Sequence, residues 1–186
     1  MEWLPEFNFG WLNGWIPLAL LGLTDGILFL SIPREVVKRL FDRSGWSHQQ
    51  VILTVIGKLL ALVCLAFLIL TPLKLDSILF PIGAFFVLLG LFGLIISIIN
   101  FRDAVPDKPA TTGLYKISRH PQVISSNLVI MGACIAIGSW SALLLLLLTR
   151  LFGHFGILAE EEICLDSYGE VYGQYMQEIP RYFFFF

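Results

Sequence analysis

Arg119-His120-Pro121 and, about forty residues later, Glu160-Glu161-Glu162 are the residues of this chain best equipped for chemistry. A guanidinium, an imidazole and a set of carboxylates can fix a charged ligand or move a proton. Gly113-Leu114-Tyr115 precedes the first group, and Tyr168-Gly169-Glu170-Val171-Tyr172 follows the second. All of them lie at the ends of apolar stretches, where ionisable side chains are costly and mark a site more often than a scaffold. Arg150, His154 and Glu161 share one stripe of a helix that advances about 100° per residue, so a polar seam runs along a leucine-rich segment. Two readings of that seam stand side by side, an internal salt bridge or a contact to a substrate head group. The candidate catalytic residues are therefore His120, Arg119, His154 and Arg150.

The elements that position them are membrane helices. The chain has 186 residues, of which 57% are hydrophobic and only 14% charged, and its mean hydropathy is +0.81. A soluble domain carries about a quarter charged residues, so the composition points to an integral membrane protein. The net charge of −2 and the lack of a basic stripe exclude nucleic acid as a partner. Cys64, Cys134 and Cys164 have no paired spacing and the three histidines no metal-ligand spacing, so neither a disulfide nor a metal is expected.

A spanning helix needs about 20 apolar residues. Trp11–Ile32, Val51–Leu70 and Ile78–Ile99 each qualify, and the long stretch after Pro121 divides at Gly138-Ser139-Trp140 into Val123–Ile137 and Trp140 to Leu158. The expectation is an all-α, polytopic membrane bundle of five transmembrane helices, with the last two forming a helical hairpin. Nine basic residues (Arg34, Lys38, Arg39, Arg43, Arg102, Lys108, Lys116, Arg119, Arg181) fall on one side of such a bundle and only Lys74 on the other. The positive-inside rule then puts the N-terminus outside and the C-terminus in the cytoplasm. The Gly138 turn would bring Arg119-His120-Pro121 and Glu160-Glu161-Glu162 together at the cytoplasmic face. Three carboxylates closing a helix at its C-terminal end oppose its dipole and need compensation.

The run Gly113, Tyr115, Arg119, His120, Pro121, then Glu160, Glu161, then Tyr168, Gly169, Tyr172, Tyr175 and the tail Ile179-Pro180-Arg181 resembles the isoprenylcysteine carboxyl methyltransferases and, equally, the related phospholipid N-methyltransferases. The resemblance covers roughly the last 80 residues. It implies a membrane methyltransferase that uses S-adenosyl-L-methionine, bound at the cytoplasmic face. It also implies cofactor contacts at Lys108, Pro109, Ala110, Tyr115, His120, Pro121, Gln122, Val123, Glu160 and Glu161. Residues 1–186 would form one membrane domain, with 1–99 a three-helix scaffold and 100–186 the cofactor-binding and catalytic half. The acceptor would be a lipophilic small molecule or lipid, with membrane lipids around it and no obligate protein partner.

Two positions depart from the family pattern. Val123 stands where the family commonly has Tyr, and Gly156 where eukaryotic carboxyl methyltransferases carry an Arg that contacts substrate. The second departure favours a phospholipid amine over an isoprenylcysteine carboxylate. A non-catalytic transport or assembly module and a nicotinamide-dependent sterol-type reductase are the competing classes.

Overall fold

This computed structural model describes residues 1–30, 32–34, 45–103 and 108–183. The elements are α1 (Trp15–Leu30), α2 (His48–Leu70), α3 (Leu79–Arg102), a 3₁₀ turn (Gly113–Lys116), α4 (Pro121–Ala136), α5 (Trp140–Tyr168) and α6 (Glu170–Glu178). No strand occurs among the described residues, and the expected all-α membrane bundle is what forms. Lys38, Arg39, Arg43 and Phe184 to Phe186 lie outside the described residues.

Three helices are long and apolar enough to cross a membrane, namely α2, α3 and α5. At 1.5 Å per residue they measure roughly 35, 36 and 44 Å, against a hydrocarbon core of about 30 Å. The other two expected spans are apolar but have 16 residues each, or about 24 Å. The first helix begins four residues later than expected, at Trp15 instead of Trp11. The chain before it bonds to the helix ends it covers: Glu2 N donates to Gly138 O (2.8 Å), Asn8 N to Leu70 O (2.8 Å) and Gly14 N to Thr71 O (3.1 Å). Buried Asn13 adds donor bonds to Asn8 O and Ile69 O. Exposed Leu59, Leu62, Phe85, Leu88, Phe92, Leu147 and Leu151 give the bundle an apolar outer surface.

α4 and α5 form the hairpin expected from Gly138-Ser139-Trp140. Gly138 takes φ 67°, and the Ser139 hydroxyl caps α5 by accepting from Ala142 N. Beyond that turn the two helices part company, because their main partners differ: α4 packs on α3 and α5 on α2. The α3–α4 contact is backbone on backbone. A Cβ on Gly132 would stand 2.5 Å from Gly83 O, and one on Gly90 would stand 2.6 Å from Ser125 O. Small residues let membrane helices approach this closely. Where α4 and α5 diverge, space opens between them toward the Glu161 end.

One expectation needs correction. The helix bearing Glu160, Glu161 and Glu162 does not end there but runs on to Tyr168, about two turns further. The carboxylates sit inside α5 and not at its C-terminus. Their compensation is local: Glu161 meets two guanidinium groups, and Glu162 accepts a hydrogen bond from Gln50 Nε2 at 2.8 Å.

Candidate functional site

At the Glu161 end, the chain before α4 is anchored residue by residue. Gly113 has φ 59°, and a Cβ there would collide with the Asn100 carboxamide, whose oxygen accepts from Leu114 N at 3.0 Å. This fixes the 3₁₀ turn and buries Tyr115. Pro121 occupies the first turn of α4, with His120 as the residue before it. Proline at that position lacks only an N–H that no helix would satisfy.

Glu161 is the hub. Its Oε1 accepts from Arg119 Nε at 2.8 Å, and its Oε2 accepts from Arg181 Nε (2.9 Å) and Nη2 (2.7 Å). His120 Nε2 lies 3.2 Å from Oε1. The Arg119 and Glu161 side chains are only 1% and 3% exposed, so the pair is desolvated. Arg119 Nη1 also donates to Met176 O (2.6 Å) and Ile179 O (3.0 Å). Arg119 N donates to Pro180 O at 3.0 Å, and the Ser118 hydroxyl to Arg181 O at 2.8 Å. Residues 179–181 are thereby strapped across the start of α4. Hydrogen bonding to Glu161 raises the Arg181 guanidinium above its ordinary value. A carboxylate has about four lone-pair positions, and these contacts occupy those of Glu161. Glu161 is a fixed counter-charge and not a free base.

Beside the hub lies a cavity of about 310 Å³. The loop contributes Pro109 and Ala110, the turn Tyr115, and the start of α4 contributes Arg119, His120, Gln122 and Val123. Glu160, Ile163, Cys164 and Ser167 face it from α5, and Tyr168, Tyr172 and Tyr175 close it. Tyr175 hydroxyl donates to Tyr115 O at 2.7 Å, and Gln122 Nε2 donates to Tyr115 hydroxyl at 3.0 Å. Burial pushes the Tyr115, Tyr172 and Tyr175 hydroxyls up, so these rings are neutral phenols.

Of the residues picked from the sequence, Pro109, Ala110, Tyr115, Arg119, His120, Gln122, Val123 and Glu160 meet at this cavity. Lys108 is exposed, Pro121 is a buried helix start, and Glu161 faces the guanidinium groups; none of the three lines the space. Arg150 and His154 lie away from it along α5, with His154 Nδ1 3.0 Å from Tyr182 hydroxyl. Sequence reasoning used Arg181 only for membrane orientation and gave Tyr168, Tyr172 and Tyr175 no individual role, although all four belong to the motif quoted above. Phe101 carried no signal.

Apolar helices of spanning length define an integral membrane protein, and the cavity beside the buried charged hub is lined by residues of its C-terminal half. A family model for phospholipid methyltransferases matches residues 52–171, from the second turn of α2 to the start of α6. The chain belongs to the phospholipid methyltransferase family and is a membrane methyltransferase of the phospholipid or isoprenylcysteine type. No curated protein and no solved structure matches it.

Proposed function

We propose that the protein transfers a methyl group from S-adenosyl-L-methionine to the amine of a phospholipid, with the cofactor in the cavity beside Glu161. The observation that carries this reading is the convergence of Pro109, Ala110, Tyr115, His120, Gln122, Val123 and Glu160 on one space. Its volume falls within the range of about 300–1,000 Å³ usual for small-molecule sites. The lining suits the group chemically. Neutral phenol faces attract a sulfonium, the Glu160 carboxylate matches an ammonium or ribose hydroxyls, and the first free N–H groups of α4 match a carboxylate. When bound, the cofactor supplies an electrophilic methyl group on sulfur.

The chain's own residues do the rest. The walls from α4, α5 and α6 hold the two reactants in line and exclude water, which is where most of the rate enhancement of such a displacement arises. A phospholipid ammonium must lose a proton before its nitrogen can act. His120 is the candidate base. It lines the cavity while its Nε2 is held against Glu161, and an Nε2–H tautomer would leave Nδ1 as the acceptor. Arg119 is a positioning residue, since its donors go to Glu161, Met176 and Ile179.

The preference for an amine over an isoprenylcysteine carboxylate draws on position 156. A Cβ on Gly156 would already stand 3.1 Å from Thr54 Oγ1 and 3.3 Å from Trp46 Cη2. An arginine there would have to push aside the Thr54 and Trp46 side chains. The cytoplasmic orientation of the site, with the N-terminus outside, rests on the excess of basic residues at the Glu161 end. Cysteines at Lys108 and Asp76 should label from opposite faces of the membrane.

The test of function is calorimetric titration of the purified protein with S-adenosylhomocysteine. Binding is expected, with at least tenfold weaker affinity in His120→Ala and Glu160→Ala. Unchanged affinity in both variants would remove the cofactor from this cavity. Radiolabelled methyl transfer into phosphatidylethanolamine, set against a farnesylcysteine analogue, then decides the acceptor; turnover of the analogue alone would overturn that part.

A further inference from the structure

Arg150 stands in the apolar part of α5 and makes no ion pair among the described residues. Its Nε is buried and has no hydrogen-bond partner among them. An ionised arginine at membrane depth is costly, and a guanidinium kept there needs an anion or a wet path. The head group is turned toward the Glu161 end. Its Cζ and Nη2 lie 3.9 and 4.0 Å from the place a Cβ would take on Gly153, so the missing side chain at 153 leaves the room it occupies. Tyr182 is close enough to act on its charge, and the Tyr182 hydroxyl in turn lies 3.0 Å from His154 Nδ1.

The Glu161 carboxylate is already taken by Arg119 and Arg181, and no carboxylate among the described residues forms an ion pair with Arg150. What Arg150 lacks is an anion that the described protein does not provide. The adjoining stripe of α5, Leu147, Leu151 and Phe155, is exposed and apolar, a surface on which acyl chains can lie. A molecule joining an anion to acyl chains therefore matches this part of the helix.

We propose that Arg150, His154 and Tyr182 form a binding site for the phosphodiester of a phospholipid, which holds the lipid on α5 with its head group toward the cavity. This deepens the function proposed above and rests on it for the identity of the bound lipid as the acceptor. Arg150 supplies a forked donor set suited to phosphate oxygens, and Tyr182 and His154 supply short-range polar contacts beside it. The anion is held apart from the cavity that would receive the cofactor, so the two ligands do not compete.

The test is equilibrium binding to the full chain in detergent, with three probes: short-chain phosphatidylethanolamine, an amine carrying the same chains without the phosphate, and inorganic phosphate. The wild-type protein should bind the phosphate-bearing lipid at least tenfold more tightly than the phosphate-free amine. Arg150→Gln should abolish that preference, Arg150→Lys should keep part of it, and Tyr182→Phe should reduce it severalfold. All three variants should keep wild-type affinity for S-adenosylhomocysteine, a readout a merely misfolded protein would lose. If Arg150→Gln does not fold, the Tyr182→Phe and Arg150→Lys measurements decide. An undiminished lipid preference in the folded variants overturns the proposal. Competition by inorganic phosphate as strong as that by the lipid makes this a free-anion site and overturns the lipid assignment. Loss of S-adenosylhomocysteine binding by the wild-type protein would bring down the methyltransferase mechanism while leaving the lipid measurement readable.

Discussion

Irregular chain closes both ends of this bundle, and the two closures are made of different chemistry. At the Gly138 end, the segment before α1 is held by backbone bonds such as Glu2 N to Gly138 O and Trp140 N to Glu2 O. Its one ion pair among the described residues, Lys74 with Glu2, faces solvent. At the Glu161 end, residues 179–181 are also held by backbone bonds, but a desolvated cluster of two arginines, a histidine and a carboxylate lies beneath them. Amide bonds close an end without specifying much else. A buried guanidinium–carboxylate cluster is expensive to assemble and fixes orientation, and here it adjoins the cavity.

The sharpest way to break that comparison is to remove its hub. Glu161→Ala leaves Arg119 buried without its counter-charge, which should cost about 3–5 kcal/mol. Unfolding in detergent should show it as a large drop in midpoint, with faster proteolysis around α6. A loss no greater than that of an exposed ion pair would mean that the two ends are held alike. Next in size is Gly132→Val, which tests whether the middle of the bundle depends on backbone contact instead. Overpacking against Gly83 and Val87 should cost about 1–3 kcal/mol or more and be visible in the same unfolding assay. Tyr175→Phe removes one hydrogen bond to Tyr115 O, worth about 1 kcal/mol. It should also weaken S-adenosylhomocysteine binding severalfold by freeing the turn that carries Tyr115. Smallest is Glu2→Ala, which should leave the unfolding midpoint where it was, because the Lys74 pair is solvated.

The site's makings were readable in the sequence wherever the signal was local. The Gly138 turn and the helix start at Pro121 each follow from a short motif with its own physical reason, while the grouping of Tyr115, His120, Gln122 and Glu160 was implied by the family resemblance. Signals that depend on distant chain were silent. Arg181 shows its importance only when it meets Glu161, and Asn100 only when its carboxamide caps the turn at Leu114. The extension of α5 to Tyr168 was missed because hydropathy falls after Leu158 while helix-forming tendency does not. Residues 11–14 were counted into the first span because Trp11 and Leu12 are apolar, yet Asn13 and Gly14 bond to the end of another helix. Arg150 and His154 were visible as a stripe, but no pattern in the sequence could say which way the guanidinium turns.

Gly169 joins α5 to α6 with φ 57° and ψ −135°, and nothing lies within 4 Å of where its Cβ would be. Gly132 is the reverse case, crowded against Gly83 and Val87 of α3. The two glycines would fail alike in an alanine scan, and for unrelated reasons. At 132 the quantity disturbed is a distance, the gap between two helix axes. At 169 it is a direction. L-residues rarely adopt that backbone angle, so a side chain there would fit in space and still swing α6 away. Tyr172 and Tyr175 would then point elsewhere, and the cavity would lose a wall without the loss of a single residue that forms it.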